Sequence, residues 1–118
     1  MKLTVAGREN GLIRLDCSGV ITAFSAPEGV DPWQAALGPD GYARTVLLDL
    51  SKADYLDSNG VSWLIIAHKH FVGAGGRLIL HSLPPRLQDT VDLLRLPSIL
   101  DIVANETAAR DLLQKAAP

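Results

Sequence analysis

The sequence has little of several features that would place it in a special class. It has one cysteine, Cys17, so no disulfide can form within the chain, and this usage is typical of a reducing compartment. Its uninterrupted apolar runs reach only about five residues, as in 63–67, whereas a membrane span needs roughly 20. Residues 1–8 lack the apolar run of a secretory signal. These absences predict a soluble, cytoplasmic protein without membrane insertion.

An excess of charge of one sign is also missing. The net charge is −2, and the lysines and arginines are scattered along the chain. No basic stripe indicates a nucleic-acid partner, and no basic amphipathic helix indicates a membrane surface. The chain does have apolar residues, which make up 47% of its 118 positions and can fill a core. We therefore expect one domain over residues 1–118.

The back half of the chain alternates apolar strands with amphipathic helices. Strands are predicted at 45–50, 77–81 and 99–103, and a segment with helical spacing of apolar residues follows each of them. Pro84-Pro85 begins the second of these helices, and Asn105 is predicted to cap the third. Such alternation is typical of parallel strands joined by right-handed crossovers.

The front half predicts a hairpin at one end of the sheet. Residues 2–5 form a weak strand, and the Asn-Gly pair at 10–11 tolerates the positive φ of a tight turn. A second strand starts at Leu12, and Gly19 is predicted to end it.

Proline and glycine punctuate residues 22–43, which are the least regular part of the chain. Within them, Asp31 is predicted to cap a short helix whose first residue is Pro32, where the missing N–H costs nothing.

The helix after the central strand has a clear apolar face. Apolar spacing predicts that its buried residues are Val61, Leu64, Ile65, His68, Phe71 and Val72. A second stripe of Trp63, Ile66 and His70 lies beside this face. It either widens the core contact or forms an exposed patch for a partner.

The turn Asp57-Ser58-Asn59-Gly60 joins that strand to that helix. The first N–H groups of a helix lack intrahelical partners, and the helix dipole there favours negative charge. A serine at this point can be a plain N-cap, or it can receive a phosphate that would repel a partner built for the neutral form. Asp57 can itself be a cap or an Asx-turn residue.

Three segments resemble the STAS family, which includes anti-sigma-factor antagonists. They are residues 49–61 (DLSKADYLDSNGV), 75–80 (GGRLIL) and 83–85 (LPP). The resemblance follows the order of elements from about residue 13 to residue 113 and is closest between 46 and 94. It implies an α/β fold: a mixed sheet of four to five strands with helices mainly on one face.

The resemblance also implies a function. The family's phosphoacceptor is the Ser or Thr after the motif's Asp, here Ser58. In such antagonists the unphosphorylated form binds a kinase-type anti-sigma factor, and phosphorylation ends the binding. The partner-binding residues are then expected to be Asp57, Ser58, Asn59, Gly60, Thr22 and Trp63. The sequence does not decide whether the protein forms a homodimer.

The sequence departs from the family pattern at two positions. Thr22 stands where antagonists usually carry an acid that lies near the phosphoacceptor, and Asn59 stands where a smaller residue is common. The first departure favours a second hypothesis, in which the chain is a constitutive, non-phosphorylated scaffold subunit of a stress-signalling assembly or a lipid-transport ATPase complex.

Enzyme and cofactor sites find no support in the residue pattern. His68, His70 and His81 do not have metal-ligand spacing, and no phosphate loop follows the glycines at 73–76. Ser62 has no catalytic histidine in reach on its own helix. We therefore expect a non-enzymatic protein without metal or cofactor; a nucleotide-binding domain is the least favoured alternative.

Overall fold

Apolar strands that alternate with amphipathic helices build one five-stranded sheet covered on both faces. The computed structural model describes residues 2–9, 11–22 and 31–116, and side chains as far as residue 114. The strands are β1 (Lys2–Glu9), β2 (Leu12–Ile21), β3 (Thr45–Leu56), β4 (Arg77–His81) and β5 (Asp101–Val103). The helices are α1 (Pro32–Leu37), α2 (Ser58–Gly73), α3 (Pro85–Leu93) and α4 (Glu106–Ala116). Short 3-10 turns span Gly41–Ala43 and Leu96–Ser98.

The strands lie in the order β1-β2-β3-β4-β5. β1 pairs with β2 in the antiparallel sense, and the other three neighbouring pairs are parallel. The predicted hairpin and the predicted parallel strands are therefore both confirmed. Asn10 of the predicted turn lies outside the described residues, and Gly11 beside it has a φ of +80°.

Two apolar layers hold the sheet. On the front face α1, α2 and α3 pack against inward side chains of β2, β3 and β4, among them Leu15, Val46 and Leu78. On the back face α4 packs Ala109 against Leu47 and Ile79. Because β3 has a helix on each side, its first half is apolar at consecutive positions, as strands buried on both faces are. The predicted α/β sheet with helices mainly on one face is confirmed.

The predicted caps of α1 and α4 are confirmed. Asp31 accepts hydrogen bonds from the backbone N–H groups of Trp33 (2.8 Å) and Gln34 (3.4 Å), and Pro32 is the first residue of α1. Asn105 accepts a hydrogen bond from the N–H of Ala108 at 2.8 Å, which caps α4. These local signals work because they satisfy N–H groups that the helix itself leaves free.

Several predicted strand boundaries are wrong. β1 continues to Glu9 and does not stop at residue 5, and β3 continues to Leu56 and does not stop at residue 50. β2 does not end at Gly19, because this glycine adopts a φ of +84° beside a register shift and the strand continues to Ile21. The last strand begins at Asp101 rather than Ile99, because residues 96–98 form a 3-10 turn and Ile99 follows it, 47% exposed.

The buried face of α2 also differs at one end. Leu64 and Phe71 are buried as predicted, and Val61, Ile65 and His68 are half-buried. Val72, however, is 59% exposed, and Ala67 takes its place in the core. The buried stripe of α2 therefore runs through positions 60, 64, 67 and 71, at the i, i+3 and i+4 spacing of one helix face.

Cys17 gives a test of the core. Its side chain has no exposed surface, and burial raises the pKa of the thiol to about 11. Since the thiolate is the reactive form, we expect an aromatic disulfide reagent at neutral pH to label the folded protein only through opening of the fold. Labelling that is as fast in buffer as in denaturant would contradict this burial.

Candidate functional site

The Ser58 turn, residues 57–60, lies at the carboxyl end of β3, where the chain enters α2. Asp57 has extended backbone angles and is the N-cap, since its Oδ1 accepts the backbone N–H of Gly60 at 2.8 Å. Ser58 is the first helical residue, and its side chain is exposed, as is that of Asn59. The interpretation of Ser58 as the cap is therefore wrong, and the alternative that Asp57 caps the helix is confirmed. The Ser58 hydroxyl is not needed to start the helix.

The end of β2 is bonded to this turn. The backbone N–H of Asp57 donates to the carbonyl of Ile21 at 3.2 Å. One residue further on, the hydroxyl of Thr22 donates to Oδ2 of Asp57 at 2.5 Å. Both carboxylate oxygens of Asp57 are thus engaged, one by α2 and one by β2. The structure brings Thr22 next to the Ser58 turn, where the sequence resemblance expected it.

These hydrogen bonds lower the pKa of Asp57 below its ordinary value. The bond from Thr22 is the largest cause, followed by the N–H of Gly60; burial opposes the shift, and the N–H of Asn59 adds to it. Each donor stabilises the carboxylate more than the neutral acid. The ionised cap therefore stabilises the fold above the ordinary pKa of aspartate. This contribution is lost as pH falls through the lowered pKa.

Gly60 is buried at the closest approach of β2 to α2. A Cβ at this position would lie 2.1 Å from the carbonyl oxygen of Ile21 and 2.9 Å from Cδ1 of Leu56. The first of these neighbours is backbone and cannot rotate away. The glycine of the turn is therefore explained by the packing of the two elements, independently of any partner.

Trp63 belongs mainly to the core side of the second stripe. Its ring stacks on Trp33 of α1 with centroids 4.8 Å apart and an interplanar angle of 18°. His70, two turns further along, tilts against Tyr42 at 5.2 Å. Ile66 between them is 55% exposed, and His70 is exposed as well. The stripe thus joins α2 to α1 and to the turn that follows α1, and it leaves Ile66 and His70 exposed to solvent.

One exposed pair close to the turn was missed from the sequence. Val20 of β2 and Tyr55 of β3 are register partners in the parallel pair, and they are 43% and 51% exposed. Each lies within three residues of the turn or of Thr22. The signal was obscured because two register shifts between β2 and β3 change which residues face outward.

The histidines take separate positions. His81 is 2% exposed at the end of β4, and its Nδ1 lies 2.8 Å from Oγ of Ser82. Burial lowers the pKa of His81, against the effect of the nearby Asp49 carboxylate. In the ranges that the structure describes, no three His, Cys, Asp or Glu side chains come together as metal ligands would. Within the same ranges, no helix is long and apolar enough to cross a membrane.

Comparison with known proteins places this geometry in context. Residues 5–109 match the family model of the STAS domain. The chain is 28% identical over 118 residues to BtrV of Bordetella bronchiseptica, a protein assigned as an anti-sigma factor antagonist; the match covers 100% of this chain and 99% of BtrV.

Two solved structures share the fold. The crystal structure of TM1081 from Thermotoga maritima, also assigned as an anti-sigma factor antagonist, superposes with a TM-score of 0.74 at 18% identity, covering 90% of each chain. The anti-sigma factor antagonist SpoIIAA in its unphosphorylated form superposes with a TM-score of 0.61 at 14% identity, covering 96% of this chain and 98% of SpoIIAA. The mixed five-stranded sheet with its helices is thus the fold of these antagonists.

Gly60 and Gly73 form a matched pair for a stability test, since both lie in α2. Gly60→Ala forces a Cβ against the Ile21 carbonyl, and we expect it to destabilise the protein by about 1–3 kcal/mol. Gly73→Ala meets nothing within 4 Å, so it should be neutral or stabilise by up to about 1 kcal/mol through helix propensity. Chemical denaturation of both variants measures this; equal unfolding free energies would contradict the packing of β2 against α2.

Proposed function

Because this chain belongs to the STAS domain family, we propose that it is a regulatory protein-interaction module that acts as an anti-sigma-factor antagonist. It binds a kinase-type anti-sigma factor through the Ser58 turn, and Ser58 is the phosphoacceptor. No catalytic role is assigned to the chain itself. The relatives described above support an antagonist-like fold with a regulatory role.

The observation that carries the proposal is the exposed hydroxyl of Ser58 on a fixed turn. Asp57 caps α2, and the end of β2 holds Asp57, so the backbone beneath Ser58 is well determined. The serine side chain itself is exposed and is not the cap. A kinase can therefore reach the hydroxyl, and a partner can contact it, without disturbing the start of the helix.

A phosphate at Ser58 would change the charge of this surface strongly. It adds about −1.5 to −2 charges next to the ionised Asp57. The N-terminal amides of α2 attract the phosphate, while the carboxylate repels it. A partner surface that fits the neutral serine beside one carboxylate would then face a cluster of negative charge. This contrast supports binding in the unphosphorylated state and release after phosphorylation.

The proposed contact surface consists of residues with different tasks. Ser58 and Asn59 are exposed and can touch a partner, whereas Gly60 is buried and lets β2 approach α2. Thr22, Asp57 and Trp63 complete the surface named from the sequence, and Trp63 supports it mainly by stacking on Trp33. We add Val20 and Tyr55, whose exposed side chains extend the surface along β2 and β3.

Phosphate mapping tests the proposal. The protein is incubated with ATP and a candidate kinase-type anti-sigma factor, and the phosphate is located by mass spectrometry. We expect phosphate on Ser58, and none after Ser58→Ala. Ser62→Ala is the matched control, because Ser62 is an exposed serine one turn further along the same helix. Absence of both phosphate transfer and nucleotide-dependent binding in the unaltered protein would refute the proposal.

The second candidate is the constitutive scaffold subunit, and the observation that favours it is Thr22. In place of a free acid near the phosphoacceptor, the chain has a hydroxyl that is already bonded to Asp57. In this case we expect Ser58→Asp to leave the pull-down of a transporter ATPase unchanged. For the antagonist, the same substitution should abolish binding of the kinase-type partner, because it adds a permanent negative charge at the contact.

A further inference from the structure

Thr22 is placed to act on Ser58 through Asp57. Its hydroxyl donates to Oδ2 of Asp57, while Oδ1 of the same carboxylate holds the N–H of Gly60. Each oxygen of the Asp57 carboxylate therefore accepts one hydrogen bond, and together these bonds connect the end of β2 to the first turn of α2. Ser58 lies between the two residues of this cap, at the first helical position.

We propose that Thr22 is a positioning residue for the Ser58 turn: by holding the Asp57 carboxylate against α2, it sets the geometry in which Ser58 is presented. This inference rests on the proposed function and deepens it. It assigns Thr22 a role beneath the contact surface.

Three contacts join the end of β2 to the Ser58 turn, and only the one between Thr22 and Asp57 involves the Asp57 side chain. The end of β2 also reaches the turn through the carbonyl of Ile21, which accepts the N–H of Asp57 and abuts the position of a Gly60 Cβ. Those two contacts fix the backbone of the strand end against the turn. They leave the rotation of the Asp57 side chain free, and among the described residues the Thr22 hydroxyl is the side-chain donor that holds Oδ2.

The chemistry of the donor matters as much as its position. A hydroxyl stabilises the ionised form of Asp57, which is the form that caps a helix best. An aspartate at position 22 would place a second carboxylate beside the first, and one of the two would then have to bind a proton or turn away. The threonine therefore orients the carboxylate of Asp57 and leaves the turn with a single carboxylate.

Three substitutions at position 22 separate the possibilities. Thr22→Val keeps the branched shape and removes the hydroxyl, Thr22→Ser restores the hydroxyl, and Thr22→Asp introduces the acid. Thr22→Ala repeats the loss of the donor without branching, should the valine variant fold poorly. Thr4→Val is the matched control, since Thr4 is an exposed strand residue on β1, far from the turn in the sheet.

Two NMR measurements on the isolated protein report on the hydrogen bonds of the Ser58 turn. The carboxyl carbon of Asp57 is titrated, and amide exchange is followed at Ser58, Asn59 and Gly60. In Thr22→Val the pKa of Asp57 should rise toward its ordinary value. Exchange at the amides of Asn59 and Gly60, which interact with its carboxylate, should quicken about fivefold. Thr22→Ser should restore both, Thr22→Asp should raise the pKa further, and Thr4→Val should change neither.

Phosphorylation of Ser58 and binding by the candidate kinase-type anti-sigma factor are then measured on the same proteins. Both should weaken in Thr22→Val and recover in Thr22→Ser. The proposal is overturned if the valine variant keeps the original pKa and exchange rates, or if serine does not restore them. If the unaltered protein is neither bound nor phosphorylated, the proposed function fails, while the NMR comparison still decides the role of Thr22.

Discussion

The parallel pairing of β2 with β3 is the constraint on which the site depends. The pairing continues to Ile21 and Leu56, at the carboxyl ends of both strands. It passes through two register shifts, and Gly19 takes its left-handed φ at the second one. Without this continuation the last residues of β2 would leave the sheet early, and Thr22 would not reach Asp57.

The burial of β3 on both faces gives the site a firm base. Val46 and Leu48 point to the front core and Leu47 to the back core, and all three are fully buried. Because β3 is packed on both faces, the position of its last residue, Leu56, at the end of the sheet is well defined. The Ser58 turn follows that residue directly, so the mobility of the turn depends on a few local hydrogen bonds and not on the rest of the domain.

Sequence periodicity was enough to predict the order of elements, because apolar spacing reports which face of a helix or strand is buried. It also located the caps at Asp31 and Asn105, where a short polar side chain precedes an amphipathic run. The site was predicted only in part. Proximity of Thr22 to the turn came from the family resemblance, while the bond to Asp57 depends on tertiary structure that no local pattern encodes.

The exposure of Val20 and Tyr55 also depends on tertiary structure and could not be predicted from the sequence alone. An alternating strand assigns each residue to a face by counting, and one extra residue in a bulge reverses the count. Two register shifts lie between Asp16 and Val20 on β2, and β3 carries extra residues opposite them. Gly19 is the one residue in the sequences of the two strands that indicates these shifts. A glycine with positive φ is equally typical of a strand end, so it was interpreted as one.

The electrostatics of the turn are settled by a small number of groups. The N-terminal amides of α2 can stabilise negative charge, and Asp57 already uses the N–H of Gly60 for this purpose. A phosphate on Ser58 would have to share the remaining N–H groups, beside the ionised carboxylate of Asp57. An acid at position 22 would add to this repulsion, whereas the threonine does not. The departure from the family pattern therefore lowers the electrostatic cost of the phosphorylated state, which argues that Thr22 is compatible with a switch at Ser58.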